Sequence, residues 1–240
     1  MLLVEVATTL VWEEPMSAIY AAAKQKDART GLDSITAEFD RRHPVAKPAA
    51  RSRPDHGDAD DENANQTGSG TGNRDKQRER ERRERIRQQQ QRELADSFAS
   101  GAVIGQPVGR IASPAMGLDT VVFLGTDQAT LRNGPGLYPQ RSFPGQGGTV
   151  AVAGHRTTYG APFRHIDRLK KDDPITMTMP YGTFTYRVTS AEIVLPGDVH
   201  VVDPVEGHER IVLTACHPLY SAAQRYVVTA RLERAVGRGG

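Results

Sequence analysis

The distribution of large apolar residues constrains the fold of this chain more than any other feature of its sequence. Within residues 41–73 the only large apolar residue is Val45, and within residues 74–91 it is Ile86. A segment of this composition cannot bury enough apolar surface to offset the conformational entropy that is lost on ordering. The folded core must therefore come mainly from the region after Leu94, about 140 residues, which is a usual size for one domain.

The segment before that core divides into a linker and a helix. Residues 41–73 are rich in Pro, Gly, Asp, Asn and Ala, and this composition predicts a disordered linker. Residues 74–98 are expected to form a charged helix, because residues 74–93 hold nine Arg or Lys against five Asp or Glu. Opposite charges recur four residues apart, as in Glu79 with Arg83, which stabilises an isolated helix. A solvated helical spacer and a polybasic strip that touches anionic lipid or polymer both fit this pattern.

Residues 1–40 form a further segment that we expect to be helical. Residues 2–12 are largely apolar, but eleven residues are too few to cross a bilayer, which needs about 20. No basic residue precedes Lys24, so the charged start of a signal peptide is missing. The segment is either a surface helix or the trailing end of a membrane anchor. Helical spacing continues in the residues Pro15, Ile19, Tyr20 and Ala23, with Pro15 at a typical first helical position.

After Leu94 and Phe98, an i,i+4 pair that could dock the charged helix, the pattern changes to short β-rich runs between Gly and Pro residues. This spacing predicts an all-β barrel or sandwich of antiparallel strands. The stretch 134–148 is crowded with Gly and Pro, which predicts a long surface loop of the kind that often carries function. The predicted strands are 121–124, Thr149–Ala153, 175–179, 183–189, 192–195, 210–215 and 225–233.

Three residue types with acyl-transfer chemistry lie at predicted strand ends. His155 follows one strand, the single cysteine Cys216 ends another, and Arg225 opens the next. If the last two strands are neighbours, Cys216 and Arg225 meet at one end of the sheet. A thiol, an imidazole and a guanidinium can serve as nucleophile, proton carrier and oxyanion stabiliser. His217 should face away from the thiol, because adjacent residues of an extended chain point to opposite faces.

Other classes of site are disfavoured. The scattered histidines and the lone cysteine lack metal-ligand spacing, so no metal and no cofactor are expected. His43 and His56 fall in the predicted linker and should be exposed to solvent. A net charge of +2, without aromatic residues among the basic ones, argues against nucleic acid as a partner.

Two segments at these strand ends carry a resemblance to a known family. They are AGHRTTYGAPF at residues 153–163, and IVLTACHP at residues 211–218 followed by SAAQR at residues 221–225. The first resembles the histidine segment and the second the cysteine–arginine segment of sortases, most closely those of class E, the housekeeping type of high-GC Gram-positive bacteria. The resemblance implies a closed eight-stranded sortase-like β-barrel, here residues 99–240, with short helices and with the N-terminal helical and disordered region before it.

The same resemblance implies a thiol transpeptidase that cleaves a C-terminal LAXTG- or LPXTG-type sorting signal between Thr and Gly. Cys216 would be the nucleophile, His155 the general acid and then the base, and Arg225 the group that holds the substrate backbone and the oxyanion. The acyl group would pass from surface proteins to an amine of a peptidoglycan precursor. The resemblance further implies a single-pass anchor at the N-terminus and a catalytic domain outside the cell membrane. It therefore favours the anchor alternative for residues 2–12.

Substrate contacts follow partly from residues and partly from this resemblance. Tyr138 lies in the loop that should run towards His155, and its oxygen could accept the N–H that Ala, but not Pro, offers at the second signal position. Tyr159 is the competing candidate. The family's TLxTC strand reads VLTAC here, so Ala215 replaces the usual Thr, and we expect a hydroxyl to be missing beside the thiol. Thr214 should face the opposite way from Ala215.

Two alternatives remain at the level of sequence. A cell-surface binding or scaffold barrel could retain the same three residues without catalysing transfer. A thiol enzyme of the L,D-transpeptidase type is disfavoured, because it places Arg soon after its Cys, whereas His217 and Pro218 follow Cys216 here.

Overall fold

Eight strands close into a barrel in the computed structural model, which describes residues 15–44 and 71–238. Around the barrel the strands follow the order β1-β2-β3-β4-β7-β8-β6-β5, and β5 pairs with β1 to close it. The helices are α1 (Pro15–Arg42), α2 (Thr71–Gly101) and the short α3 (Gln128–Leu131). The strands are β1 (Pro107–Ser113), β2 (Leu118–Leu124), β3 (Gly136–Leu137), β4 (Thr149–Ala153), β5 (Pro174–Met179), β6 (Gly182–Val194), β7 (Arg210–His217) and β8 (Gln224–Gly237).

The predicted barrel is confirmed, with differences in individual strands. The runs 183–189 and 192–195 are one continuous strand, β6, and β7 extends to His217 rather than ending before it. Strands β1 and β3 were not predicted. β3 is only two residues long and lies inside the stretch that the sequence suggests is a surface loop. It exists because Gly136 has no side chain: a Cβ there would lie 2.0 Å from the carbonyl oxygen of Gly125.

The two faces of β7 belong to two different apolar clusters. Ile211, Leu213 and Ala215 point into the barrel and join its main core. Val212 points outwards and packs with Val227 of β8 in a second, smaller cluster. This alternation, with a period of two residues, determines which residues near the end of β7 share a face.

Helix α1 begins at Pro15, as the sequence predicts, but it buries a different face. Ile19 and Tyr20 are 66% and 46% exposed. The helix instead buries Ala21, Ala28 and Phe39. Small side chains let α1 lie close against the barrel, which a hydrophobic count along the sequence does not reveal. Residues 2–12, the possible anchor remnant, lie outside the described residues.

A polar side chain ties α1 to the barrel. Gln25 donates from Nε2 to the carbonyl oxygen of Asn133 at 2.9 Å and accepts from the backbone N–H of Val121 at 2.8 Å. A further contact lies near the start of the helix, where a Cβ on Gly160 would approach the Cβ of Ala21 to 2.9 Å. Helix α1 therefore contacts both the barrel wall and the loop that follows β4.

Helix α2 docks on the barrel through its last third. Leu94 and Phe98 pack on the main core, as the sequence predicts, and Ala95 between them is fully buried. Residues 74–90 are exposed, with Glu79 and Arg83 in an ion pair of 2.9 Å. Residues 45–70 of the predicted linker, including His56, lie outside the described residues.

His43 differs from its prediction as an exposed linker residue. Its ring is half-buried and stacks on Phe39 at 4.3 Å between ring centroids, and Nε2 lies 3.1 Å from the hydroxyl of Ser97. It therefore joins the C-terminal ends of α1 and α2. Within residues 15–44 and 71–238, no helix combines the length and hydropathy that crossing a membrane requires.

Candidate active site

Strand pairing brings His155, Cys216 and Arg225 to one end of the barrel. Strands β7 and β8 are antiparallel neighbours, and Cys216 lies directly opposite Arg225 in their register. Strands β4 and β7 are parallel neighbours, with Ala153 opposite Thr214. Because His155 and Cys216 each follow these paired residues by two positions, both emerge at the same end of adjacent strands.

Alternation along β7 and β8 places Cys216 and Arg225 on the outer face. Val212, Thr214 and, by alternation, Cys216 share that face of β7. Val227 marks the same face on β8, and Arg225 lies two residues before it. His217 falls on the inner side, as the sequence predicts, and its ring lies 5.7 Å from that of Tyr226.

The turn after β4 presents His155 through close packing of an aromatic ring. A Cβ on Gly154 would lie 2.6 Å from the ring of Phe163, so only glycine fits between Ala153 and His155. The backbone N–H of Phe163 donates to the carbonyl oxygen of His155 at 2.9 Å. These contacts hold the backbone of His155 and leave its ring available.

The His155 ring is partly withdrawn from water. Its Nε2 atom is buried and has no hydrogen-bond partner among the described residues. The ring of Tyr159 lies 5.1 Å away between centroids, with an interplanar angle of 47°. Burial lowers the pKa of His155, because the charged imidazolium loses hydration. Burial therefore favours the neutral ring, which can accept a proton.

Arg225 is anchored by the main chain of its own loop. Its Nη1 donates to the carbonyl oxygens of Ala222 at 3.0 Å and Gln224 at 2.9 Å. This uses one nitrogen and leaves Nε and Nη2 as further donors on a fixed plane. Cys216 opposite it is half-buried and is the single cysteine of the chain.

The four expected substrate contacts do not lie together. Tyr138 is half-buried, and its hydroxyl lies 3.4 Å from that of Thr214 on the outer face. Tyr159 lies beside His155 and below the guanidinium of Arg132, 5.7 Å from its ring centroid. Ala215 is 3% exposed and belongs to the barrel core, so its side chain is not available to a peptide on the outer face.

The replacement of the usual threonine by Ala215 therefore removes no hydroxyl from the face that carries Cys216. Position 215 faces the interior, so a hydroxyl there would lie on the far side of β7 from Cys216. The hydroxyl on the Cys216 face belongs to Thr214, two residues before the thiol. The expectation that this face lacks a hydroxyl is corrected by strand alternation.

The structure brings together Arg156, Asp167 and Tyr226 behind the site, and the sequence assigns no role to them. Arg156 is 3% exposed, pairs with Asp167 at 3.0 Å, and lies over the ring of Tyr226. An arginine in a run of polar residues gives no signal of burial, because the carboxylate that compensates its charge lies eleven positions away. In the described part of the chain, no group of His, Cys, Asp or Glu side chains is placed to hold a metal ion.

Comparisons with known proteins identify the family to which the barrel belongs. A family model described as the sortase domain matches residues 111–233. Sortase D of Bacillus subtilis is 30% identical over 127 residues, which are 52% of this chain and 63% of that protein. Sortase SrtE1 of Streptomyces coelicolor is 36% identical over 93 residues, 35% of this chain and 26% of that protein. The chain thus spans less than two thirds of the length of these curated relatives.

The solved structure of sortase E from Streptomyces avermitilis has the same fold, with a TM-score of 0.52 and 32% sequence identity. The match covers 56% of this chain and 93% of that structure. Sortases are cysteine transpeptidases, and the matched region of this chain contains His155, Cys216 and Arg225 at one end of the barrel. The family match, the barrel topology and these strand ends together show that the chain belongs to the sortase family and is most like class E.

Proposed function

We propose that this protein is a cysteine transpeptidase that cleaves a LAXTG- or LPXTG-type sorting signal between Thr and Gly. The observation that carries the proposal is the pairing of Cys216 with Arg225 across β7 and β8, with His155 at the same end of the adjacent β4. The half-buried thiol is then flanked by a proton carrier on one strand and a fixed cation on the other.

In the first half of the reaction, the sulfur of Cys216 attacks the Thr carbonyl carbon of the signal. The thiol proton passes to His155, and the carbonyl oxygen becomes an oxyanion. When the Thr–Gly bond breaks, the proton on His155 goes to the leaving amino group of Gly, and a thioester joins Thr to Cys216. Burial favours the neutral ring of His155 before the attack.

In the second half, an amine attacks the thioester carbonyl. His155 accepts a proton from the incoming amine, and the sulfur leaves as the new amide forms. The proton returns to Cys216, so the enzyme is regenerated and no cofactor is consumed. Arg225 would donate to the oxyanion of both tetrahedral intermediates, where charge-assisted hydrogen bonds are strongest.

Signal recognition is proposed for the outer face beside the thiol. Tyr138 and Thr214 hold their hydroxyls 3.4 Å apart there, so a peptide N–H could be accepted by either oxygen. Tyr159 lies next to His155 on the other side. A signal with Ala at its second position offers that N–H, and one with Pro does not.

The proposed substrates are surface proteins that carry such a signal at the C-terminus, and the proposed acceptor is an amine of a peptidoglycan precursor. We further propose that a single N-terminal span holds the enzyme at the cell membrane with the barrel outside. Residues 2–12, where such a span would end, lie outside the described residues. The proposal draws on the likeness to sortases, which are cell-surface enzymes associated with the membrane.

The test is mass spectrometry of the full chain incubated with LAXTG and LPXTG peptides and an added amine. The expected products are the peptide cut after Thr, the peptide joined to the amine, and a protein whose mass has increased by the acyl fragment. Cys216→Ala is the matched control, because the chain has no other thiol. Transfer by Cys216→Ala at the wild-type rate would overturn the proposal.

A second reagent distinguishes an enzyme from an inactive barrel that only binds the signal. A peptide vinyl sulfone built on the signal should modify Cys216 in an enzyme, because the sulfur must attack the position of the scissile carbonyl. A barrel that only binds the signal would hold the peptide without covalent addition.

A further inference from the structure

The residue after each proposed catalytic residue lies behind the site, where the three form one cluster. Arg156 follows His155, His217 follows Cys216, and Tyr226 follows Arg225. His217 and Tyr226 lie on strands, where successive residues point to opposite faces, so they turn inwards where Cys216 and Arg225 turn outwards. Arg156 lies in the bend after β4, and its burial and its contacts place it with these two residues. We call Arg156, His217 and Tyr226 the backing cluster.

Arg156 is the centre of the backing cluster. Its Nη1 donates to Nδ1 of His217 at 3.1 Å, and its guanidinium carbon lies 5.7 Å from the ring centroid of Tyr226. Its Nη2 lies 3.0 Å from a carboxylate oxygen of Asp167 and 3.5 Å from the carbonyl oxygen of Arg164. Nε is buried without a hydrogen-bond partner among the described residues. Because a guanidinium N–H can only donate, Nδ1 of His217 is the acceptor in this bond.

The bond between Arg156 and His217 lies where the backbone ladder stops. The pairing of β4 with β7 ends at Ala153 opposite Thr214, and one further hydrogen bond runs from the N–H of Gly154 to Thr214 at 3.0 Å. His155 lies beyond this last pair. The next connection between the two segments is the side-chain bond from Arg156 to His217.

We propose that Arg156 is a positioning residue that fixes His155 against Cys216 by binding His217 on the inner side of the sheet. The side-chain bond joins the residue next to the proton carrier with the residue next to the nucleophile. Asp167 compensates the charge of the buried guanidinium, and Tyr226 covers one face of it. Arg156 touches no reacting atom in this arrangement.

This inference rests on the proposed function for the roles of His155 and Cys216, but its test needs no peptide. Iodoacetamide alkylates thiolates, and a single addition reports Cys216 alone because the chain has one cysteine. An imidazole beside the thiol can accept its proton as the sulfur attacks the reagent, so the alkylation rate reports the placement of the His155 ring. His155→Ala should therefore slow alkylation and sets the scale of the measurement.

The experiment compares alkylation rates of Arg156→Met, His217→Leu, the double variant and His217→Asn, each well below its measured melting temperature. Each of the first two should be slower by about 2- to 12-fold, the range that corresponds to one lost hydrogen bond. The double variant should be no slower than the slower single one, because both changes remove the same bond. His217→Asn should keep most of the rate, since its amide oxygen can accept from Arg156 near the position of Nδ1.

The matched histidine variants keep the test valid if Arg156→Met fails to fold. Wild-type rates in both Arg156→Met and His217→Leu would overturn the proposal, as would effects that multiply in the double variant. Equal slowing by His217→Asn and His217→Leu, or no slowing by His155→Ala, would overturn it too. Failure of wild type to process any peptide would instead reject the proposed function, and the alkylation comparison would stand on its own.

Discussion

The two ends of the barrel treat buried polar groups in opposite ways. At the end that carries Cys216, the buried Nε2 of His155 has no partner among the described residues. At the other end, the carboxylate of Glu209 is 7% exposed and fully engaged. It accepts from the hydroxyl of Tyr186 at 2.6 Å and from the backbone N–H groups of Gly145 and Gly147 at 2.9 Å each.

The packing of the helices against the two ends of the barrel also differs. The Glu209 end is covered by α1 and α2, whose Phe39 and Phe98 contact Tyr181 at 6.2 and 5.4 Å between ring centroids. At the Cys216 end, α1 contacts the loop after β4 through Ala21, while Cys216 and Arg225 remain half-buried. Satisfied polar groups under an aromatic layer stabilise a fold, whereas unpaired ones at an open end are available for chemistry. The comparison predicts that changes at the Glu209 end affect stability and that changes at the Cys216 end affect the reaction rate.

The largest effect on the reaction rate is expected from His155, one of two histidines at the Cys216 end. His155→Ala should lower kcat/KM by roughly 10²–10⁴, the usual contribution of a general acid–base group. His217→Ala, on the inner face, should cost no more than about 12-fold, as expected for one lost hydrogen bond. Peptide cleavage followed by mass spectrometry measures both, with melting temperatures as the control for folding. Equal damage from the two changes would contradict the assignment of faces.

Arg225→Lys should have the next largest effect. The guanidinium is a planar set of donors fixed by Ala222 and Gln224, and an ammonium cannot reproduce that plane. The expected loss in kcat is on the order of 10², comparable with removal of an oxyanion-hole donor. A loss smaller than about threefold, below the value of a typical hydrogen bond, would mean that Arg225 only packs beside the site.

At the other end of the barrel, Glu209→Ala should affect stability rather than the reaction rate. The change leaves the Tyr186 hydroxyl and two backbone N–H groups without their acceptor, which should lower the free energy of unfolding by at least about 1–3 kcal/mol. Denaturant unfolding measures this loss, and kcat of the folded fraction should stay close to wild type. A large fall in kcat with unchanged stability would reverse the proposed division between the two ends.

The pH dependence of stability sharpens this test. Burial raises the pKa of Glu209 above its ordinary value, against the opposing effect of its hydrogen bonds to Tyr186, Gly145 and Gly147. Since the folded-state pKa exceeds the unfolded one, the associated stability is fully present below the unfolded value and is lost as pH rises through the folded value. Wild type should therefore lose stability relative to Glu209→Gln across that window. A difference that is independent of pH would contradict the burial effect.

The smallest effect concerns selection between the two signals. If the Tyr138 hydroxyl accepts the N–H of Ala at the second position, the bond contributes about 0.5–1.5 kcal/mol, a several-fold preference for LAXTG. Tyr138→Phe should remove that preference and leave LPXTG cleavage unchanged, measured as the ratio of the two kcat/KM values. An unchanged ratio would exclude this hydroxyl, and Tyr159→Phe would be the next variant to measure.

Much of the site could be predicted because strand ends are visible in sequence. Gly154 and Pro218 mark the ends of two β-rich runs, and the residues beside them have chemistry that few structural roles require. The period of two residues also places His217 opposite Cys216 before any coordinates are known. The same alternation applies to Thr214 and Ala215. Counted from the thiol, Thr214 shares the face of Cys216 and Ala215 lies on the opposite face, which is where the structure places them.

What the sequence determines by itself is local: a core that begins near Leu94, strands that alternate, and a thiol, an imidazole and a guanidinium at strand ends. What only the tertiary structure decides depends on contacts between distant residues. Gly136 forms a strand because the backbone at Gly125 approaches it. Arg156 is buried because Asp167, His217 and Tyr226 surround it, and His43 is half-buried because two helix ends meet there. Burial of a polar side chain is determined by the partners that compensate its lost hydration, and those partners are set by the closure of the barrel.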